Sequence, residues 1–338
     1  MTSQSSTVFS AAAALALGLG FQATCLAMPE YSKERVTFVS HDIELVGCLY
    51  LPSSQKGKVP GLTILGPVAF VKEQSPAQYA TRMARAGFAV LIFDPRGHGE
   101  SGGEPRRHES GVMKAEDVRA ALDYLASRPE VAADQLFALG VCQGVNWIVD
   151  AAQADTRIRA IALVAGHYLT PETASLYLGG ADAVAARIKR SQASPLHPAD
   201  GSPVDYIPIV SLTDPEALLT AKPIYEWYIR WADRGPAWGF HGLWENRITR
   251  ASEAGIWGHR VDHALLKLTT PTLMVHADRA ASGPVIPRKL FDLIPADRKE
   301  LVWLGDQVQF QFYEEPETID RATEHVATWF RAAAKAGD

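Results

Sequence analysis

The chain reads as an α/β protein, a doubly wound and mostly parallel sheet with a helical lid inserted after the sixth strand. Three observations point there. Short apolar runs alternate with helix-periodic stretches. One of those runs passes straight into a helix through Gly140-Val141-Cys142-Gln143-Gly144. After the sixth run the rhythm is broken by roughly a hundred residues, several times the length of an ordinary crossover. The 338 residues, 47% hydrophobic and 21% charged, suffice for one large core and exclude disorder. A net charge of -5 supplies no cationic field for phosphates, so nucleic acid is not an expected partner.

At the start, Val8 to Phe21 carries no charge. It has the length of the apolar region of a signal peptide and is too short to span a bilayer. Small residues follow to Ala27, so residues 1–27 read as a cleaved export signal, with a periplasmic or secreted mature chain that inserts in no membrane. The leader MTSQSST has no Lys or Arg, and the alternative is a cytoplasmic protein beginning at Met28. The core is expected over 28–166 and 265–338, with the lid over 167–264.

Two alternating runs, Arg35 to Val39 and Glu44 to Leu51, predict a hairpin. The runs Leu62 to Leu65, Ala89 to Phe93, Leu136 to Val141, Ala160 to Val164, Thr272 to Val275 and Glu300 to Leu304 predict buried parallel strands. Helical periodicity falls at Gln78 to Ala86, Val112 to Ser127, Val145 to Ala152, Ile286 to Leu293 and Pro316 to Lys335. The inserted stretch is dense in aromatics: Tyr206, Tyr225, Trp227, Tyr228, Trp231, Trp238, Phe240, Trp244 and Trp257. Most are expected to pack the lid on the sheet and a few to line an apolar substrate pocket.

The turn at Cys142 is a nucleophile elbow with Cys in the usual Ser position. Its glycines remove side chains that would collide as the chain reverses. The sulfur should stand above the carboxyl edge of the sheet, with the next helix aimed at it and favouring thiolate. The Gln143 N–H is an expected oxyanion donor. The remaining cysteines, Cys25 and Cys48, show no C-x-x-C spacing, and neither a disulfide framework nor a zinc site is indicated. Cys48 reads as a small core residue, and Lys72 with Glu73 as a surface or loop-bracing pair.

From about Val36 onward the chain resembles the α/β-hydrolase superfamily, most of all the dienelactone-hydrolase-related branch with Cys at the elbow. The likeness is carried by VKEQ at Val71 to Gln74, FDPRGHGESGGEP at Phe93 to Pro105, EDVRAALDYL at Glu116 to Leu125 and LGVCQG at Leu139 to Gly144. The resemblance implies an α/β-hydrolase fold and an ester, thioester or lactone substrate. It also implies that Asp94 and Arg96 brace the following loop. It further implies an acid after the strand ending at His276 and a His after the last strand, and here the chain departs. In LGDQVQFQFYEEPE, Phe310 and Tyr313 align while Gln309 stands at the His position, and glutamine cannot accept and return a proton. VHADRAASG sets Ala280 or Ala281 at the acid position and leaves Asp278 nearby. The first oxyanion loop, glycine-rich in such enzymes, reads Gly66-Pro67-Val68-Ala69-Phe70, with Val68 as the expected contact.

Substitute bases are ranked by their expected place at the sheet edge. His167 follows the sixth strand and ranks first. His276 ends a strand with Asp278 close by, and His98 lies in a loop where a structural role is more usual. His241, His259 and His263 reach inward only if the lid folds over the elbow. The expected catalytic set is Cys142, His167, His276 and Asp278, with Gln143, Val68 and Gln309 at the oxyanion and substrate.

Two functions compete. The first is hydrolysis or acyl transfer through Cys142, with deacylation the hard step. The second is a fold-retaining protein that uses the pocket without a nucleophile, as a binding protein or a cyclase- or lyase-like catalyst. Metal chemistry has only the pairs His259/His263 and His98/Glu100, and neither completes a site. No organic cofactor is expected, because no phosphate-cradling Gly-rich turn follows the first parallel strand.

Overall fold

A computed structural model describes residues 30–54, 57–232 and 243–335. The expected export signal, Cys25, Trp238, Phe240 and His241 lie outside the described residues. Strands β1 (Tyr31–Ser40) and β2 (Ile43–Pro52) pair antiparallel from Tyr31 opposite Pro52 to Ser40 opposite Ile43. Between them His41 and Asp42 take positive φ values of 46° and 63°, the left-handed backbone a two-residue hairpin turn demands.

Strands β3 (Val59–Leu65), β4 (Ala89–Phe93), β5 (Val131–Val141) and β6 (Ile158–Val164) follow. Helices α1 (Ser75–Arg85), α2 (Gly111–Ser127) and α3 (Gly144–Ala154) lie between them. After β6 come α4 (Pro171–Leu178), α5 (Ala181–Gln192), β7 (Tyr206–Ile207), α6 (Lys222–Ala232), β8 (Ile248–Thr249), α7 (Ser252–Trp257) and α8 (Val261–Leu265). The chain then returns through β9 (Thr272–His276), α9 (Val285–Leu293), β10 (Lys299–Trp303), α10 (Gln311–Glu314) and α11 (Pro316–Lys335). The small β7–β8 ribbon was not foreseen, since a two-residue strand carries no periodicity to read.

The main sheet runs β1-β2-β4-β3-β5-β6-β9-β10, parallel from β4 to β10. Its chain order reverses at β3: β4 is reached on one side and β5 on the other. Right-handed crossovers then put α1 and α2 on opposite faces. Accordingly α1 packs with α11 and α2 with α3. The reversal leaves a crevice beyond the carboxyl ends of β3 and β5, where open α/β sheets bind ligands. The loop from Gly66 and the turn at Cys142 flank it.

The loop after β4 is held from within. Asp94 is fully buried and accepts from the Lys72 N–H at 2.8 Å, the Lys72 ammonium at 2.7 Å and the Glu100 N–H at 3.0 Å. Lys72 is itself buried and also meets Glu73 and Glu100, at 2.9 and 2.6 Å. Of the two expectations for Lys72 and Glu73, the loop brace holds, the pair meeting at 2.9 Å, and the surface position is corrected: the lysine points inward because the desolvated Asp94 requires a counter-ion. Arg96 binds Asp117 on α2 through its N–H and its guanidinium, at 2.9 and 2.6 Å.

In the insert, buried Arg187 of α5 pairs with buried Glu253 of α7 at 2.6 Å. Trp227, Tyr228, Trp244 and Trp257 are buried, as expected for aromatics that pack the insert down. Among the described residues no helix is long and apolar enough to cross a membrane.

Candidate active site

Cys142 follows β5 at φ 57°, a strained conformation for a side chain with a Cβ. Neighbouring contacts enforce it. A Cβ on Gly140 would sit 2.7 Å from the Val145 backbone, and one on Gly144 would sit 2.7 Å from the carbonyl oxygens of Leu65 and Gly66. The Cys142 N–H donates to the Val164 carbonyl at 3.1 Å, and its own carbonyl accepts from the His167 N–H at 3.0 Å. The elbow is thus sewn to the end of β6. Among the described residues seven non-glycine positions have positive φ, and Ala69, Cys142, Ala165 and Ser282 all lie at or beside the same cavity. Such strain persists where surrounding structure over-determines it, characteristically at functional sites.

That cavity, about 350 Å³, is lined by Cys142, Val68, His167, Tyr177, Tyr228, Gln309 and Tyr313 among others. The cysteine is 7% exposed and adjoins this hollow. Four groups act on its sulfur to favour the charged form: the Tyr313 hydroxyl, the Gln143 N–H, the Gln309 side chain and the Val68 N–H. None of them is a histidine. Burial outweighs all four and pushes the thiol up to about 11. The expected thiolate is therefore corrected: the helix N-terminus does not overcome desolvation, and the resting group is a thiol. Thiolate is then about one part in ten thousand at pH 7. Alkylation of Cys142 by iodoacetamide, mapped by peptide mass, is expected to accelerate about tenfold per pH unit from pH 7 to 10. A plateau below pH 8.5 would contradict this.

Gln309 is locked. Its Oε1 accepts from the Ala281 N–H at 2.6 Å, and its Nε2 donates to the Ala165 carbonyl at 2.9 Å and to the Tyr313 hydroxyl at 2.8 Å. The Tyr313 proton is left for the sulfur. A backbone N–H at Ala281 thus occupies the place where the resemblance implied a carboxylate, and an amide answers it where an imidazole was implied. The two departures form one matched pair.

The expected residues divide sharply. Val68, Gln143 and Gln309 gather about the Cys142 sulfur. His167 lines the same cavity, its Nε2 buried without a partner and its ring 4.7 Å from that of Tyr177. Burial pulls its pKa down to about 4, so it is a neutral imidazole. His276 and Asp278 do not join the cavity, which corrects their expected place. The fully buried His276 ring lies with its nitrogens 3.0 Å from the Ala277 carbonyl and 3.3 Å from that of Gly166, beside Trp303. Asp278 is exposed and accepts from the Trp303 indole at 3.0 Å. A strand end that packs against its own sheet cannot also aim at the elbow. His98 is buried between the Arg96 carbonyl and Glu109. His259 lines a separate cavity with Trp147 and Asp150. No cluster of three metal-ligating side chains occurs among the described residues.

Two supports of the loop from Gly66 to Phe70 escaped sequence reasoning. Tyr228 of α6 donates to the Val68 carbonyl at 3.2 Å, and the buried Glu109 carboxylate accepts from the Ala69 N–H at 3.1 Å. Together they fix the peptide units around the Val68 N–H. Tyr228 was legible only as one aromatic among many, and Glu109 carried no signal.

The sheet order, the elbow after β5 and the convergent N–H groups define an α/β-hydrolase fold. The profile of the family described as serine aminopeptidase, S33, matches residues 74–228. The crystal structure of the hypothetical protein PA2218 from Pseudomonas aeruginosa has the same fold. It superposes with a TM-score of 0.74 at 24% identity, over 90% of this chain and 95% of that one. In sequence the chain is 40% identical to PA2218 over 129 residues, 38% of this chain and 35% of the relative. It is 31% identical to the thiohydrolase aneE of Aspergillus aculeatus over 136 residues, 40% of this chain and 42% of that protein. It is 26% identical to the polyketide transferase claH of Penicillium crustosum over 293 residues, 82% of this chain and 90% of that one. The matches to PA2218 and aneE thus span well under half of those relatives' lengths.

Proposed function

We propose that the protein is an acyl-transfer enzyme acting on thioesters through Cys142, with hydrolysis as its slow default outcome. The observation that carries this reading is the convergence of the Val68 and Gln143 N–H groups on the sulfur of a strained elbow cysteine. A cysteine that merely filled space would need neither the strain nor the donors. The relatives named thiohydrolase and polyketide transferase support the thioester class. The resemblance to the dienelactone-hydrolase branch supports Cys as nucleophile.

In the reaction proposed, the Cys142 sulfur adds to the thioester carbonyl carbon. The oxygen gains charge and takes the two N–H groups from the sulfur. The carbon–sulfur bond of the substrate then breaks, and the departing thiolate leaves with the proton that the Cys142 thiol has lost. Thiol and thioester become thioester and thiol, an exchange that requires no strong base overall. Transfer of the acyl group to water does require one, and the neutral His167 on the cavity wall is the candidate. Tyr313, held by Gln309, keeps its proton because burial raises its pKa well above the usual phenol range. It serves as a donor to sulfur.

Release of free thiol from an acyl-N-acetylcysteamine thioester is expected to show a burst of about one equivalent, then a slow phase that an added acceptor thiol accelerates. Cys142→Ala should lose the burst. Equal thiol release by Cys142→Ala would overturn the reading and favour the non-nucleophilic pocket, to which the fully engaged Gln309 amide lends its weight. Tyr228→Phe deletes one hydroxyl from the oxyanion support. It is expected to slow acylation about tenfold while Cys142 alkylation, which develops no oxyanion, keeps its rate. Equal loss in both reactions would assign Tyr228 to packing instead.

A further inference from the structure

Beside the Cys142 cavity lies a second, larger and partly open one of about 740 Å³, bordered by α4, α5, the 215–221 segment and the start of α6. Tyr177, Leu219 and Ile224 line both, so the two hollows meet across the same three side chains. Its wall is largely apolar, with Leu178, Ala183, Ala186 and Leu218 prominent. The charged groups there are already engaged. Arg187 is taken up by the carbonyls of Pro215, Glu216 and Ala217 and by the Glu253 carboxylate, and Arg190 faces Glu216 at 3.4 Å. A ligand in this space is therefore recognised by burial of apolar surface and not by charge. Leu176, which lines the same cavity, is 71% exposed, apolar surface that such a ligand would cover.

We infer that this second cavity receives the distal part of a long apolar acyl chain whose carbonyl lies at Cys142. The inference rests on the acyl-transfer reading and deepens it by naming the substrate class: thioesters of medium-to-long apolar acyl groups, not acetyl or short polar ones. Size decides the point. At about 30 Å³ per heavy-atom group, taking the share of a water molecule as the measure, the inner cavity holds about a dozen groups and the outer one about two dozen more. A short acyl group is accommodated by the first alone. A chain of about twelve or more carbons, with its carbonyl oxygen, must pass the partition made by Tyr177, Leu219 and Ile224.

The test uses the full chain and a series of N-acetylcysteamine thioesters from butanoyl to tetradecanoyl. The second-order rate of Cys142 acylation is expected to rise at least about tenfold from butanoyl to dodecanoyl. Full burial of a methylene corresponds to at most about fourfold each. Ala186→Trp, which intrudes from the outer wall, should abolish most of that ratio. Ala186 is exposed, and a melting curve checks that the variant is folded. In parallel, Cys142→Ala is titrated with the same series by calorimetry, expecting tighter binding of the longer chains and loss of that preference when Ala186→Trp is added. A flat chain-length profile, or a ratio that Ala186→Trp leaves as it was, overturns the inference. Absence of acylation at every length, with chain-length-dependent binding retained by Cys142→Ala, would instead remove the acyl-transfer reading and leave the cavity assignment standing.

Discussion

Gln309→His combined with Ala281→Asp is expected to raise the alkylation rate of Cys142 at pH 7 by about a hundredfold or more, and to convert slow deacylation into hydrolytic turnover. The physical basis is the environment of the sulfur. Its donors are all neutral, and burial holds the thiol near 11. Cysteines paired with an imidazolium fall to about 3.5–7.5, so even a partial effect moves several pKa units. The amide at Gln309 shares the cavity wall with Cys142, and its Oε1 accepts from the Ala281 N–H. An imidazole there would meet Cys142, and the carboxylate introduced by Ala281→Asp would fix its orientation. Gln309→His alone should show a smaller gain, since its other nitrogen meets a backbone donor. Alkylation followed against pH in the single and double variants checks this, with a downward shift of the inflection expected. An unchanged profile in the double variant would mean that Gln309 is not positioned as the His implied by the resemblance would be.

Lys72→Met is expected to destabilise the fold by about 3–5 kcal/mol, because it leaves the Asp94 carboxylate buried with only two N–H groups. Lys72→Met with Asp94→Asn should recover part of the loss, since the remaining group is then a neutral amide. Urea unfolding of the two variants measures the difference. A loss below about 1 kcal/mol for Lys72→Met would show that the cluster of Lys72, Asp94, Glu73 and Glu100 is solvated and not a brace.

This pair of results marks what a sequence can reveal here. Strand and helix periodicity placed the sheet because burial imposes a repeat along the chain, and Gly140 and Gly144 placed the elbow because only glycine leaves room for the reversal. Gln309 was legible as a departure, and so was the missing carboxylate near Ala281. Their direct hydrogen bond was not, since it joins a side chain to a backbone group. Lys72 was legible as a loop brace but its burial was not, because charged residues are usually solvated and the buried partner that reverses this rule is 22 residues away. His276 and Asp278 were misplaced for a related reason. A strand-end position fixes where a residue stands but not which way its ring turns, and here the ring packs toward Trp303. Tyr228 and Glu109 hold the loop at Val68 and Ala69 from distant elements, and no local pattern announces such a contact.

Intact mass of the full chain after incubation with a dodecanoyl thioester, with peptide mapping of the product, puts the acyl-enzyme to its most direct trial. One acyl group, carried on the peptide holding Cys142 and lost in Cys142→Ala, is the result expected. Acyl groups absent altogether, or carried on Cys48 or a lysine while Cys142 stays free, would contradict it.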